Sequence, residues 1–275
     1  MKRFYSFALA AVAIFSVASC QEELSDASFA GAQYGDFKVT AVISSETRTV
    51  LENGVKTYWT PGDRISMFNT EGKSVPFSTD ITEKSVYADF TNDSEFNAPS
   101  ELIAVYPFRV SDTDGSPVQV LEENVISNFR IAGTQTAVAG SFDQAYTGAV
   151  GRQRSAGSNE IVFTNIHSLI KFTVGGTIAP TTVTLANNGM RMIAGLYHYN
   201  ITTGEITQGG GATSITLNGP FEVGETYYIA VIPGVVGNGV SLSFDGEVVK
   251  NTGETKTLEQ NMIYNLGTVE VAAPA

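Results

Sequence analysis

The single cysteine of the chain, Cys20, has the sequence setting that most clearly indicates chemistry. It follows a short basic region at Lys2 and Arg3, an apolar run over residues 4–17 and two small residues. This order is typical of a secretory signal peptide, and the run is too short to span a membrane as a mature helix. A cysteine directly after such a cleavage site matches a bacterial lipobox. We therefore predict that residues 1–19 are a lipoprotein signal peptide, that the Cys20 sulfur is diacylated and that its new amino group is acylated, which anchors the chain in a membrane.

Other side chains that could do chemistry are few and scattered. His167 and His198 have no cysteine or carboxylate at ligand spacing beside them, which favours structural or surface histidines over metal ligands. The segment 112–123 carries acidic residues at three positions of a calcium loop, but Pro117 stands where that loop needs glycine, so a turn is favoured. No G-x-S-x-G, P-loop or H-E-x-x-H motif is present. We predict a protein that is not an enzyme and that uses no cofactor and no metal.

The elements that would position these residues are predicted to be strands. Short runs rich in Val, Ile, Thr, Tyr and Phe are bounded by turn dipeptides such as Asn188-Gly189 and Asp245-Gly246. No window of a dozen residues keeps a helical period. Apolar residues alternate along the chain at Phe37, Val39, Ala41 and Ile43. The sequence therefore predicts an all-β protein.

Charge and composition limit the partners and suggest a boundary. The chain of 275 residues has a formal net charge of −12, with 16 basic and 28 acidic side chains; removal of residues 1–19 would make it −14. A surface this acidic repels nucleic acid, so we predict no nucleic-acid partner. The segment Gly151–Asn159 is polar, rich in Gly and Ser and free of large apolar side chains. It predicts an N-terminal domain over residues 20–157 and a C-terminal domain over residues 158–275.

Several motifs also resemble a known family when they are taken in order. The stretch 47–69 contains Thr-Arg-Thr, then Trp59, then Gly-Asp-Arg-Ile and a hydrophobic run. Further matches of the same order and spacing are FTNIHSLIKF over 163–172, Ile-Ala-Gly over 193–195, YYIAVIPG over 227–234 and NMIYNLGTV over 261–269. This pattern resembles the fimbrillin, or Mfa-like, family of surface lipoproteins, the subunits of the type V pili of Bacteroidales. The resemblance covers nearly the whole chain.

The resemblance implies a fold and a mode of assembly. The fold would be two tandem transthyretin-like Greek-key β-sandwiches. In that family an arginine-specific protease removes an N-terminal strand, and a strand of a neighbouring subunit fills the groove by β-strand addition. Carried onto this sequence, the strand to be lost is Phe37–Ile43, and the candidate processing site lies between Arg48 and Thr49.

The partners implied are other fimbrial subunits. The candidate donor strand is the C-terminal run 263–271, in which Ile263, Val269 and Val271 share one face that Asn265 and Gly267 interrupt. Host or bacterial surface ligands are further partners of an adhesive subunit.

The predicted location is the outer face of the outer membrane, with the chain held by the lipid on Cys20 and incorporated into a fimbrium. The acidic residues 21–23 either direct the lipoprotein outward or form a solvated tether. Two alternatives stay open. The chain could be a pilus anchor that keeps its lipid and N-terminal strand. It could also be a glycan-binding outer-membrane lipoprotein that uses aromatic side chains as stacking platforms, for which the candidates are Trp59, Tyr197, Tyr227 and Tyr228.

Overall fold

The computed structural model describes residues 37–43, 58–92, 94–144 and 148–270. Within these ranges regular structure consists of 21 β-strands. The predicted all-β class is therefore confirmed. The described part of the chain contains no apolar helix of bilayer-spanning length.

The strands are short, and turns separate almost all of them. Gly62 is at a φ of +84° after Pro61, and Asp245-Gly246 adopts φ values of +48° and +92°, which gives two of the predicted turns their conformation. In chain order the strands are β1 Lys38–Ile43, β2 Arg64–Phe68, β3 Ser74–Ser78, β4 Tyr87–Thr91, β5 Ile103–Tyr106, β6 Leu121–Glu122, β7 Val125–Ile131, β8 Thr134–Thr136, β9 Ala149–Gln153, β10 Glu160–Asn165, β11 Ser168–Val174, β12 Thr182–Asn187, β13 Ala194–Asn200, β14 Ile206–Ala212, β15 Ser214–Asn218, β16 Thr226–Val231, β17 Gly234–Val236, β18 Val240–Phe244, β19 Glu247–Asn251, β20 Lys256–Leu258 and β21 Ile263–Val269.

Seven strands close into a ring in the order β1-β10-β9-β5-β2-β3-β4. Strand β1 closes it, because it pairs parallel with β10 on one side and antiparallel with β4 on the other. The ring surrounds a core centred on Trp59, whose side chain is fully buried. The Trp59 ring makes edge contacts with Phe90, Tyr106 and Phe163 at centroid distances of 5.0, 5.3 and 5.1 Å. We call this set of strands the barrel.

The other strands form four smaller sheets around a second core. Their orders are β16-β11-β21, β19-β18-β12-β15-β8, β14-β13-β7-β6 and β17-β20. At the edge of β16 that β11 does not cover, a side chain replaces a strand: the buried amide of Gln135 donates to the Ala230 carbonyl at 2.8 Å and accepts from the Ala230 N–H at 3.1 Å. The Gln135 amide thus replaces a neighbouring strand at that position of β16.

The two cores meet across the barrel wall. Ala104 and Tyr106 of β5 point into the barrel core, whereas Ile103 and Val105 of the same strand belong to the second core. Strand β5 is therefore buried on both faces, which explains its continuous apolar sequence.

The predicted boundary segment Gly151–Asn159 comprises the last three residues of β9 and the turn to β10, and these two strands are hydrogen-bonded to each other in the barrel. A division after residue 157 would separate these paired strands, while β7 and β8, from before that point, pair with strands of the second core. The domain count stays a prediction.

Candidate strand-exchange site

The first described strand, β1, is buried in the pattern that the sequence predicts. Phe37, Val39, Ala41 and Ile43 point into the barrel core and are at most 7% exposed. Phe37 packs against Phe96 and Phe77, with ring centroids 5.1 and 6.3 Å away. Each large side chain of this row stabilises the packed state by about 1.5–3 kcal/mol.

The main chain of β1 is bonded along both edges. Residues 40–43 lie in register with 160–163 of β10, and residues 38–42 lie opposite 87–91 of β4. On the outer face, the carboxylate of Asp89 accepts a bond of 2.7 Å from the Thr40 hydroxyl and forms an ion pair of 2.5 Å with Lys38. The hydrogen bond from Lys38 is the main cause that holds the pKa of Asp89 below its usual range. Register is thus specified by core side chains on one face and by a charged group on the other.

The pocket that receives Ala41 is small. The Trp59 indole N–H donates to the Ala41 carbonyl at 3.1 Å, so the indole lies directly beside this residue. Across the strand pair, Ala41 faces Ala88, a second small side chain. The inward side chains therefore differ in size along the strand: Phe37 is large, Val39 and Ile43 are of medium size, and Ala41 is small.

Ile43 and Trp59, on either side of the segment 44–57, are bonded to two adjacent residues, Val86 and Ser85. The Ile43 N–H donates to the Val86 carbonyl at 3.4 Å, and the Trp59 N–H donates to the Ser85 carbonyl at 2.7 Å. Ser85 returns a bond of 3.1 Å to the Trp59 carbonyl. Trp59 is therefore held by contacts that do not pass through β1. The predicted processing residues Arg48 and Thr49 lie in this segment, outside the described residues.

A half-buried carboxylate, that of Asp63, fixes the turn that follows Trp59. Asp63 accepts bonds from the Thr60 N–H at 2.8 Å, the Thr60 hydroxyl at 3.1 Å and the Tyr106 hydroxyl at 3.1 Å. Burial raises the pKa of Asp63, while these hydrogen bonds oppose the rise. Burial, followed by the charge of Asp63, also raises the pKa of Tyr106. This network fixes the backbone next to Trp59 and the Tyr106 ring that packs against it.

The predicted donor run occupies a place in its own molecule. Strand β21 pairs parallel with β11 at the edge of a three-stranded sheet. Ile263 packs against the second core and Val269 is 3% exposed, so these two predicted residues share the inward face; Val271 lies outside the described residues. The pairing shifts register between Lys171 and Thr173, and Gly267 has a φ of +81°. This irregularity leaves Asn265 exposed and packs Leu266 against the core.

The other candidates for chemistry do not form a site. The fully buried His167 ring donates from Nδ1 to the Gly148 carbonyl at 3.1 Å, and burial lowers its pKa to about 4. No group of three or more potential metal ligands occurs in the part of the chain that the structure describes. The aromatic residues considered as glycan platforms are at most 3% exposed and serve as core side chains: Trp59, Tyr197, Tyr227 and Tyr228.

Sequence reasoning missed the role of the Ser85–Val86 segment. Its contacts join residues separated by tens of positions, and its own side chains carry no motif. The Trp59 contact with Ala41 was also missed, although the alternation of β1 did identify Ala41 as a core residue.

Comparisons with known proteins give matches among solved structures alone. Neither family models nor curated proteins give a match. A provisionally assigned cell adhesion protein of Bacteroides ovatus is similar at a TM-score of 0.48 and 16% identity, over 86% of this chain and 92% of that one. A similarly assigned protein of Bacteroides uniformis gives 0.48 and 19%, over 84% and 92%.

The tip fimbrial protein Mfa3 of Porphyromonas gingivalis gives a TM-score of 0.38 and 7% identity, over 82% of this chain and 81% of that one. These similar structures are described as adhesion and fimbrial proteins, not as enzymes. Because all three TM-scores are below 0.5, they do not by themselves establish what this chain does.

Proposed function

We propose that this protein is a structural or adhesive subunit of a cell-surface fimbria, and that β1 is the strand it exchanges for a strand of another subunit. The observation that carries the proposal is the position of β1. It closes the barrel between β10 and β4, yet the chain on its C-terminal side re-enters the fold through contacts of Trp59 that are independent of it.

Cleavage between Arg48 and Thr49 would leave β1 held by noncovalent contacts alone. Loss of β1 would expose the edges of β4 and β10 that pair with it, together with the four core positions that its side chains fill. An extended chain fits that slot in one direction only, parallel to β10 and antiparallel to β4, if it is to restore both ladders. Main-chain bonds would supply affinity, and alternate side chains would supply selectivity.

The donor that we propose is the run 263–271 of a neighbouring copy. Its residues Ile263 and Val269 are apolar, and β21 lies at a sheet edge, where fewer bonds oppose its release than in the centre of a sheet. Before cleavage, the lipid on Cys20 would hold the chain at the outer membrane, and loss of residues up to Arg48 would free it for the fimbrium.

The test is a variant that blocks cleavage. In the native host, Arg48→Ala is expected to keep the lipid and β1 and to form no fibres, because the slot stays filled. The measurement is the intact mass and N-terminal sequence of the surface protein, combined with electron microscopy of fibres. Arg154→Ala is a matched control, since Arg154 is an exposed arginine that pairs with Glu160.

Two outcomes distinguish the proposal from its alternatives. Normal fibres from Arg48→Ala would rule out cleavage at this arginine as the trigger. A wild-type surface protein that begins at acylated Cys20 would indicate the anchor role, in which the lipid and β1 are both kept.

A further inference from the structure

Arg191 is held rigidly in a surface cleft beside β17. Its backbone carbonyl accepts a bond of 2.7 Å from the Asn187 side-chain amide, and its Nη2 donates to the Pro233 carbonyl at 2.7 Å. The guanidinium lies flat against Gly234, where an added Cβ would come within 2.2–2.4 Å of its nitrogen and carbon atoms. Gly234 also has a φ of +136°. The absence of a side chain at position 234 thus leaves room for the guanidinium, whose position is fixed by these contacts.

The positive charge of Arg191 has no counter-ion. It takes part in no ion pair among the described residues, and its Nε is buried without a hydrogen-bond partner there. Burial lowers the pKa of the guanidinium, and no described carboxylate opposes that effect. Burial of a charge without an ion pair costs free energy, so a carboxylate brought to this half-buried guanidinium would offset part of that cost.

The cleft in front of this guanidinium is large enough for a small ligand. It is a shallow depression, open to solvent, with a volume of about 460 Å³. Ile206 and Pro233 give it apolar walls, and Thr257 adds a hydroxyl. Gln260 also lines it, and its side chain is held by donating to the Gly204 carbonyl at 2.5 Å.

We propose that this cleft binds a ligand bearing a single carboxylate, of the size of an acidic side chain or an acidic monosaccharide, through the Arg191 guanidinium. A planar guanidinium matches a carboxylate in shape and can bind it through charge-assisted hydrogen bonds. Phosphate fits less well, because Glu259, the acidic side chain of the lining, repels its charge of about −1.5 to −2 more strongly than the single charge of a carboxylate.

The test is a titration of the full chain with three probes: N-acetylglutamate amide, glucuronate and inorganic phosphate. Binding is followed through the backbone amide NMR signals of Gly234 and Thr257. Arg191→Gln is expected to weaken binding of the carboxylate probes by about ten- to a hundredfold, as loss of one charge-assisted contact does. Glu259→Gln is expected to strengthen it, since it removes a repulsive charge from the lining.

Arg130→Gln is the matched control, because Arg130 is an exposed arginine at a different cavity. Its affinity for the probes should equal that of the wild type. Tighter binding of the glutamate probe would identify a protein as the source of the carboxylate, and tighter binding of glucuronate would identify a sugar. The proposal is overturned if no probe saturates, if phosphate binds best, or if Arg191→Gln and Arg130→Gln weaken binding equally.

Discussion

A buried histidine, His167, makes the stability of this protein depend on pH. His167 follows the barrel strand β10 and precedes β11, and its ring is 1% exposed and packed beside Phe142. Because the Gly148 carbonyl can only accept, the proton of the neutral ring is on Nδ1, and the buried Nε2 has no partner among the described residues. Protonation at Nε2 would place an unpaired positive charge in the protein interior, between strands β10 and β11 of the chain.

His167 is expected to make the protein less stable in mild acid. Its pKa is about 4 in the folded chain and 6.5 in the unfolded one, so only the unfolded chain binds a proton between these values. Stability is therefore lost as pH falls from about 6.5 to about 4, by about 3 kcal/mol in total, with no further loss from this group below that. The measurement is the free energy of unfolding by urea at pH 7 and pH 4 for wild type and His167→Asn.

The difference between wild type and His167→Asn should shrink by that amount at the lower pH, because the carboxylates are common to both proteins. His198→Asn removes the histidine of strand β13 and controls for the loss of an imidazole as such. If the free energies of unfolding of wild type and His167→Asn differed by the same amount at pH 7 and pH 4, that result would contradict a buried neutral His167.

At the level of elements, β1 and β21 differ in how firmly their sequences define their places. Strand β1 alternates without interruption and is bonded on both edges, whereas β21 is bonded on one edge and is irregular near Gly267. Register in β1 is strongly specified, since a slip by one residue would turn Lys38 and Thr40 into the core. A strand that replaces β1 must therefore match the small pocket at Ala41.

This requirement predicts the selectivity of strand exchange. A chain cut at a specific protease site inserted within residues 44–57 should exchange β1 for a synthetic peptide of sequence 37–43. The same peptide with Ala41→Leu should bind about 5- to 150-fold more weakly, because the larger side chain would enter a core that is already filled and overpacking costs about 1–3 kcal/mol. Fluorescence polarisation of labelled peptide measures the affinities.

The peptide with Val42→Leu supplies the control. Val42 lies on the outer face of β1, so added bulk there should leave the affinity within about twofold of the parent. Equal affinity of all three peptides would mean that the slot does not read side chains at position 41.

The whole molecule is joined by strands that serve two cores at once. Besides β5, strand β2 contributes Met67 to the barrel core and Phe68 to the second core, and β9 contributes Ala149 and Val150 in the same way. Loss of either core would expose apolar side chains of the other. The two cores should therefore unfold together.

A single thermal transition is the expected result of calorimetry on the full chain. Val105→Ala removes buried methyl groups where the cores meet and should lower stability by about 2 kcal/mol, or about 4–8 °C in the midpoint, for the whole transition. Val248→Ala, at a position 63% exposed on β19, should change it by less than about 2 °C. Two separate transitions, with only one shifted by Val105→Ala, would show that the cores are independent.

The sequence by itself determined the local features. Alternation identified β1 and its four inward side chains, turn dipeptides placed the corner after Trp59, and composition predicted an all-β chain, because these properties depend on residues close together along the chain. Cys20, from its place after a signal peptide, Arg48, from the family resemblance, and Val271, from the donor run, are candidates that lie outside the described residues.

Only the tertiary structure decided which strands lie side by side. The polar segment Gly151–Asn159 includes the end of β9 and its connection to β10, its paired neighbour in the barrel, and the tyrosines considered as stacking platforms are core residues. Likewise, the contact of Arg191 with Gly234 joins positions 43 residues apart that carry no shared pattern. Pairings of this kind depend on which distant faces bury the most apolar surface together, and short-range sequence patterns do not contain that information.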